Sequence, residues 1–221
     1  MVRQCIALVF ASVVLMIAGC GGGGSSSTPP VTYNLNTFAS GYVKAKHDYT
    51  LSAASNGNTY SAQLSQVPGS SSSCGTSKTS TTTVTVNISE NGTLVDNDTY
   101  TRYYVLNPYK ILCDYDATSG DVTIYANQEA LPTAASIGDT GSFDTATIYY
   151  DTSLTTVFGT MTDTWTLNSG SGGNALFCAD SVSNTNNGDV TESDCYSIDA
   201  GGNVHGLTVK LLINGVTLNF Q

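Results

Sequence analysis

The chain has 221 residues, with 7 Lys and Arg against 17 Asp and Glu, a formal net charge of −10. Such a surface repels phosphate backbones, and no Lys/Arg cluster interrupts it, which excludes nucleic-acid binding and polybasic attraction to lipid headgroups. Only 11% of residues are charged while 40% are hydrophobic; Ser, Thr, Asn and Gly fill the difference, a composition that disfavours helix and suits strands and turns.

The chain opens with Arg3 and then an apolar run from Ile6 to Ala18, broken only by Ser12. That run is too short to span a bilayer and has the length of a signal-peptide core. It ends at Ile17-Ala18-Gly19-Cys20, which resembles the lipobox of bacterial lipoproteins. The resemblance implies removal of a signal peptide covering residues 1–19, lipidation of Cys20 and attachment to a membrane through that lipid. Gly at position 21, where Asp would be a retention signal in diderm bacteria, implies sorting to the outer membrane. Residues 20–35 form the lipidated Cys and a tether. Its Gly/Ser stretch buries nothing and stays flexible, and Pro29-Pro30 stiffens the approach to the folded part.

From residue 36 to 221 the dominant signal is alternation, the period of a half-buried strand. Val84, Val86 and Ile88 share one face, with Thr83, Thr85 and Asn87 on the other. Asn56-Gly57, Asn91-Gly92 and Asn214-Gly215 are hairpin dipeptides that accept positive φ. Strands are expected at 42–54, 58–67, 81–90, 93–106, 109–116, 120–127, 143–151, 155–168, 174–183, 190–199, 203–213 and 216–220. Helix is expected only as a turn within Glu129–Ala135. The expected fold is all-β, an antiparallel meander forming a β-sandwich or a partly closed barrel. The segment 131–141 breaks the strand series and marks a sub-boundary, with two similar halves on either side as one option.

The phrases Leu131-Pro132, Ile137-Gly138-Asp139-Thr140-Gly141, Thr147 to Asp151 and Thr164-Trp165 together resemble a pattern of β-rich proteobacterial lipoproteins over residues 130–200. That resemblance implies no activity and carries over no catalytic residue.

Cys5 leaves with the leader and Cys20 takes the lipid, so Cys74, Cys113, Cys178 and Cys195 remain for an oxidising compartment. A hairpin centred on Asn186-Asn187 places Cys178 opposite Cys195, which leaves Cys74 to pair with Cys113. A zinc site is the weaker reading, because there is no CxxC spacing. No metal or cofactor is expected.

His47 and His205 are the only histidines, and no Gly-x-Ser-x-Gly elbow accompanies them. Asp96/Asp98 and Asp114/Asp116 each share a strand face and are expected as solvated strand ends. Asp180, Asp189, Glu192 and Asp194 surround the 184–189 turn; a polar hairpin tip is expected there, with a calcium site as the alternative. Tyr100, Tyr103, Tyr104, Tyr109, Tyr115 and Tyr125 crowd one stretch and are expected to pack across strands. No residue is assigned a catalytic role. Two functional classes follow: a non-enzymatic binding or structural module of the envelope with a protein or glycan partner, or a hydrolase acting on envelope polymers.

Overall fold

In a computed structural model the described residues are 31–213 and 215–221. The signal peptide and Cys20 lie outside them. The described residues form thirteen strands and one helix: α1 (Leu35–Tyr42), β1 (His47–Ser55), β2 (Asn58–Pro68), β3 (Ser72–Cys74), β4 (Ser77–Glu90), β5 (Thr93–Leu106), β6 (Tyr109–Asp116), β7 (Val122–Ala126), β8 (Thr140–Tyr149), β9 (Val157–Ser169), β10 (Ala175–Thr185), β11 (Gly188–Ile198), β12 (Val204–Ile213) and β13 (Val216–Phe220). All twelve expected strands are present. β3, a short hairpin partner of β4, is additional.

The strands follow one another in sequence order around a single antiparallel sheet, with only β3 off the path. β13 returns beside β1, where Ser52 and Gln221 exchange two backbone hydrogen bonds of 3.0 Å. The sheet is therefore a nearly closed barrel rather than a sandwich. An eight-stranded barrel is just filled by its own side chains, and diameter grows with strand number, so twelve strands in the wall leave a lumen.

Strand register decides what the lumen sees. Along β9, Met161, Asp163, Trp165 and Leu167 are buried while Thr160, Thr162 and Thr164 are exposed. On β4, Val84 and Ile88 are buried, while the Thr85 hydroxyl pairs with that of Thr99 on β5 at 3.2 Å on the outer face. A lipid-spanning barrel needs an apolar outer band; this one turns Thr, Ser and Asn outward and so faces water.

The helix is a correction to the sequence expectation. Residues 129–135 hold no helix; the helical turn lies at Leu35–Tyr42 instead, and β1 starts at His47 rather than at 42. Asn34 caps α1, its Oδ1 accepting the Thr37 N–H at 2.9 Å. The tether ends before Tyr33, because Tyr33 and Leu35 are already buried. β7 and β8 pair directly across segment 131–141. It runs beside α1: Tyr33 bridges Ala135, and Pro132 accepts the Leu35 N–H at 3.0 Å. Together α1 and this segment cover one end of the barrel. The turns after β1, β4, β6, β8 and β10 form the other end.

Both expected disulfides are present. The β10–β11 register places Cys178 opposite Cys195, with Cα atoms 4.0 Å apart. Cys74 on β3 joins Cys113 on β6, 6.3 Å apart. A one-residue bulge in β6 turns Cys113 to the outer face while Ile111 and Asp114 keep the inner one.

Candidate functional site

The lumen is the candidate site. It holds a cavity of about 170 Å³ toward its open end, and one of about 120 Å³ continues it beneath α1. Tyr100, Arg102 and Tyr196 line both, so the two are one channel. An apolar cavity of about 150 Å³ takes up benzene, so each part has room for a small organic group.

The wall has two chemically different sides, because neighbouring strands carry like residues inward. On β12, β13, β1, β2 and β4 the inward residues toward the open end are apolar, with Leu51, Ala62, Ile88, Leu207, Leu211 and Phe220 forming one buried cluster, and Gln66 and Thr82 are polar lining residues near α1. On β5, β6, β8, β9 and β11 the inward positions carry acids. Asp96, Asp98, Asp163, Glu192 and Asp194 line the cavity. Among its described lining residues Arg102 is the one basic group.

Arg102 is already matched. Its Nη2 donates to Asp114 Oδ2 at 2.8 Å and its Nε to Oδ1 at 3.1 Å, and the Tyr125 hydroxyl donates to the same Oδ2 at 2.8 Å. The guanidinium also lies 5.5 Å from the centre of the Tyr100 ring. Burial opposes its charge, but the Asp114 carboxylate outweighs that and holds Arg102 protonated well above its usual range.

The remaining acids stand in like-charged pairs. Register sets Asp144 on β8 directly opposite Asp163 on β9. Asp144 has no exposed surface, and neither of its oxygens receives a hydrogen bond from a donor; Asp163, 7% exposed, has an unpartnered Oδ1. Burial, then the facing Asp163, pushes Asp144 up to about 9. Burial also raises Asp163. Glu192 and Asp194 are two apart on β11 and share the inner face; burial raises both, Asp194 raises Glu192 further, and a hydrogen bond with Glu192 partly offsets the rise at Asp194. Asp98 is pushed up to about 7 by burial and then by Asp116.

Several expectations are corrected here. Asp96, Asp98 and Asp114 are not solvated strand ends but face the lumen. Only Asp116 fits the strand-end reading in part, since its carboxylate accepts the N–H groups of Thr118 and Ser119 in the turn. The four acids around the 184–189 turn do not converge either. Asp189 is exposed at the tip, Asp180 accepts the Ser193 hydroxyl at 2.7 Å on the outer face, and Glu192 and Asp194 face inward. Alternation on a strand separates them, so they form neither one calcium site nor one polar tip. Among the described residues no group of three or more His, Cys, Asp or Glu is placed to hold a metal ion.

The tyrosines divide. Tyr104 and Tyr109 are packing residues at 2% and 4% exposure, Tyr100 and Tyr125 line the lumen, and Tyr115 is exposed. Tyr196, which no expectation singled out, lines the lumen under Phe38 with ring centres 5.5 Å apart. Neither histidine reaches the cavity. His47 Nε2 lies 3.0 Å from the Tyr42 carbonyl and its ring stacks on Tyr42 at 4.1 Å, a contact that fixes the end of α1. His205 pairs with Asp199 at 3.2 Å on a surface turn.

No family pattern matches the chain, and no curated protein or solved structure was found similar to it. Fold and site by themselves define a water-facing antiparallel barrel with one end covered and a lumen apolar on one side and acidic on the other.

Proposed function

We propose that this chain is an exported, membrane-anchored lipoprotein that binds a small molecule in its barrel without transforming it. The single observation that carries the reading is the lumen: a channel of ligand size, covered by α1 at one end, with apolar and polar walls facing each other. The lipobox at Cys20, the tether after it and the two disulfides support placement in the bacterial envelope, on the outer membrane. The resemblance of residues 130–200 to proteobacterial lipoproteins agrees with that placement. The partner expected from sequence was a protein or glycan; a small molecule is proposed in its place, and the cavity inside the barrel supports that reading. A hydrolase of envelope polymers is the weaker reading, because His47 is engaged with the helix end and His205 with a surface turn.

The test is an uncharged naphthylamine dye whose emission rises in apolar surroundings, added to the chain from Val31 onward. Wild type should bind it saturably. Ala179→Trp, which fills a position shared by both parts of the channel, should weaken binding at least about tenfold, on the order of 1.4 kcal/mol. Equal binding by a folded Ala179→Trp variant would place the dye elsewhere and remove the reading. Anchoring is tested separately: mass spectrometry of the N-terminal peptide from a diderm host should find the acyl chains on Cys20, and an unmodified N-terminus beginning elsewhere would refute it.

A further inference from the structure

We propose, resting on the lumen-binding reading above, that the ligand is an organic cation with an apolar body: a protonated amine held against the acidic wall by carboxylates from β9 and β11, its body on the β12–β13–β1–β2 wall. Three observations carry this.

The first is the charge of the lining. Asp96, Asp98, Asp163, Glu192 and Asp194 border the cavity, and the one basic group, Arg102, is taken up by Asp114 and Tyr125. No positive charge is left over for an anionic ligand, whereas an ammonium beside the carboxyls that burial raises in the ligand-free protein favours their ionised form.

The second is unmet hydrogen-bonding capacity inside the wall. Asp163 lines the channel, is 7% exposed, and keeps an Oδ1 that no donor reaches. Behind it Asp144 has no exposed surface and two unpartnered oxygens, and on the same inner face of β10 the Ser183 hydroxyl is fully buried without a partner. An Oδ1 of Asp194 is also unpartnered. Buried acceptors are costly when unsatisfied. An ammonium is a compact donor of three hydrogen bonds and supplies what they lack. Protons shared within the Asp144–Asp163 and Glu192–Asp194 pairs take up part of that capacity, but one proton between two carboxyls leaves each pair with further acceptor sites.

The third is the surroundings. Tyr100, Tyr125 and Tyr196 line the cavity from strands on or beside the acidic side, where aromatic faces favour a cation. At the turn end of the barrel Leu94, Val95, Leu154, Val157 and Val216 are exposed at 58%, 47%, 43%, 49% and 39%. They give that end an apolar lip, over which a hydrocarbon or aromatic body enters more readily than a polar sugar.

The experiment compares phenylbutylamine, phenylbutanol and phenylbutanoate, which share a body and differ in head-group charge. Calorimetric titration into the full lipidated chain in nanodiscs is referenced to the same nanodiscs without protein, which removes partition into lipid. The amine should bind at least about tenfold more tightly than the alcohol, and the carboxylate should bind weakest. Asp163→Asn and Glu192→Gln should bring the amine down to the affinity of the alcohol and leave the alcohol unchanged. Equal affinity for amine and alcohol, or a preference for the carboxylate, overturns the cation while leaving the lumen-binding reading intact. Absence of binding by all three above the reference overturns both. The wild-type comparison needs no variant, so a substitution that fails to fold does not shield the proposal.

Discussion

At Asp144 the barrel buries a carboxyl toward which no donor points. Burial and the facing Asp163 raise it to about 9, against an ordinary value of 3.8. The sign of the consequence follows from proton counting. The native state keeps a proton that the unfolded chain gives up above about pH 4, so the native state binds more protons across that interval and stability falls as pH rises. Asp163, Glu192, Asp194 and Asp98 are shifted the same way and add to the slope. Asp48, Asp151 and Asp199 are shifted down, but they are exposed and titrate below that interval. The melting temperature of the ligand-free protein should therefore fall from about pH 5 to about pH 9. Asp144→Asn keeps the shape and removes the titration, so it should flatten the fall and stabilise by about 1–3 kcal/mol at the alkaline end, where each kcal/mol is worth about 2–4 °C for a chain of this size. A wild type that melts higher at alkaline pH, or a variant with an unchanged slope, would show that Asp144 is not held protonated.

At the scale of elements, α1 is an amphipathic helix of just over two turns whose role is to close one end. Its buried face is Leu35, Phe38 and Ala39. Phe38 meets Phe177 edge-on at 5.1 Å and Tyr196 at 5.5 Å. The Val43 carbonyl accepts the Thr82 hydroxyl at 2.9 Å and the Tyr104 hydroxyl at 3.1 Å, which ties the helix end to β4 and β5. The β11–β12 turn passes so close that a Cβ on Gly202, at φ +85°, would sit 3.3 Å from the Phe38 backbone. A helix this short is marginal alone and exists by its packing. Phe38→Ala should cost about 3 kcal/mol by urea unfolding. Hydrogen exchange should separate the two levels: amides of Leu35–Tyr42 accelerate far more than those of β9 and β10. Uniform acceleration would mean that helix and barrel open as one unit. The disulfides act on different elements. Cys178–Cys195 closes the β10–β11 hairpin across a separation of 17 residues, and Cys74–Cys113 pins the β3 hairpin to the outside of β6 across 39. Chain entropy assigns them about 3 and about 4 kcal/mol.

For the whole molecule the decisive feature is closure. A meander has two free edges, and exposed edges invite association with other chains. Here β13 comes back to β1, and the Ser52–Gln221 hydrogen bonds join the edges. Phe220, 1% exposed, packs into the apolar cluster that β1, β2, β4, β12 and β13 build together. That cluster is both seam and ligand-facing wall. Phe220→Ala should lower the unfolding free energy by about 3–5 kcal/mol and, by loosening the seam, should also weaken the uncharged dye. A variant that loses stability but binds the dye as wild type does would separate the seam from the binding wall.

Strand positions, the hairpin turns, the all-β class and the Cys178–Cys195 pairing were legible in the sequence, because each rests on local order. Alternation has a period of two, Asn-Gly dipeptides accept positive φ, and opposed residues in a hairpin have a constant sum of positions. α1 also left a local signal, Asn34 as cap followed by Leu35, Phe38, Ala39 and Tyr42 at helical spacing, but it is short and abuts strand-like residues. The choice of barrel over sandwich was not legible, since one pattern of alternation serves both and only the meeting of β1 with β13 distinguishes them. The acidic wall was hidden for the same reason. Asp98, Asp144, Asp163 and Asp194 lie on different strands, and charge in a sequence reads as solvent exposure until tertiary register sets those strands side by side with the charges inward. What the sequence determined by itself was the strands; which face of them encloses a space, and that this face carries the acids, was decided by closing the sheet.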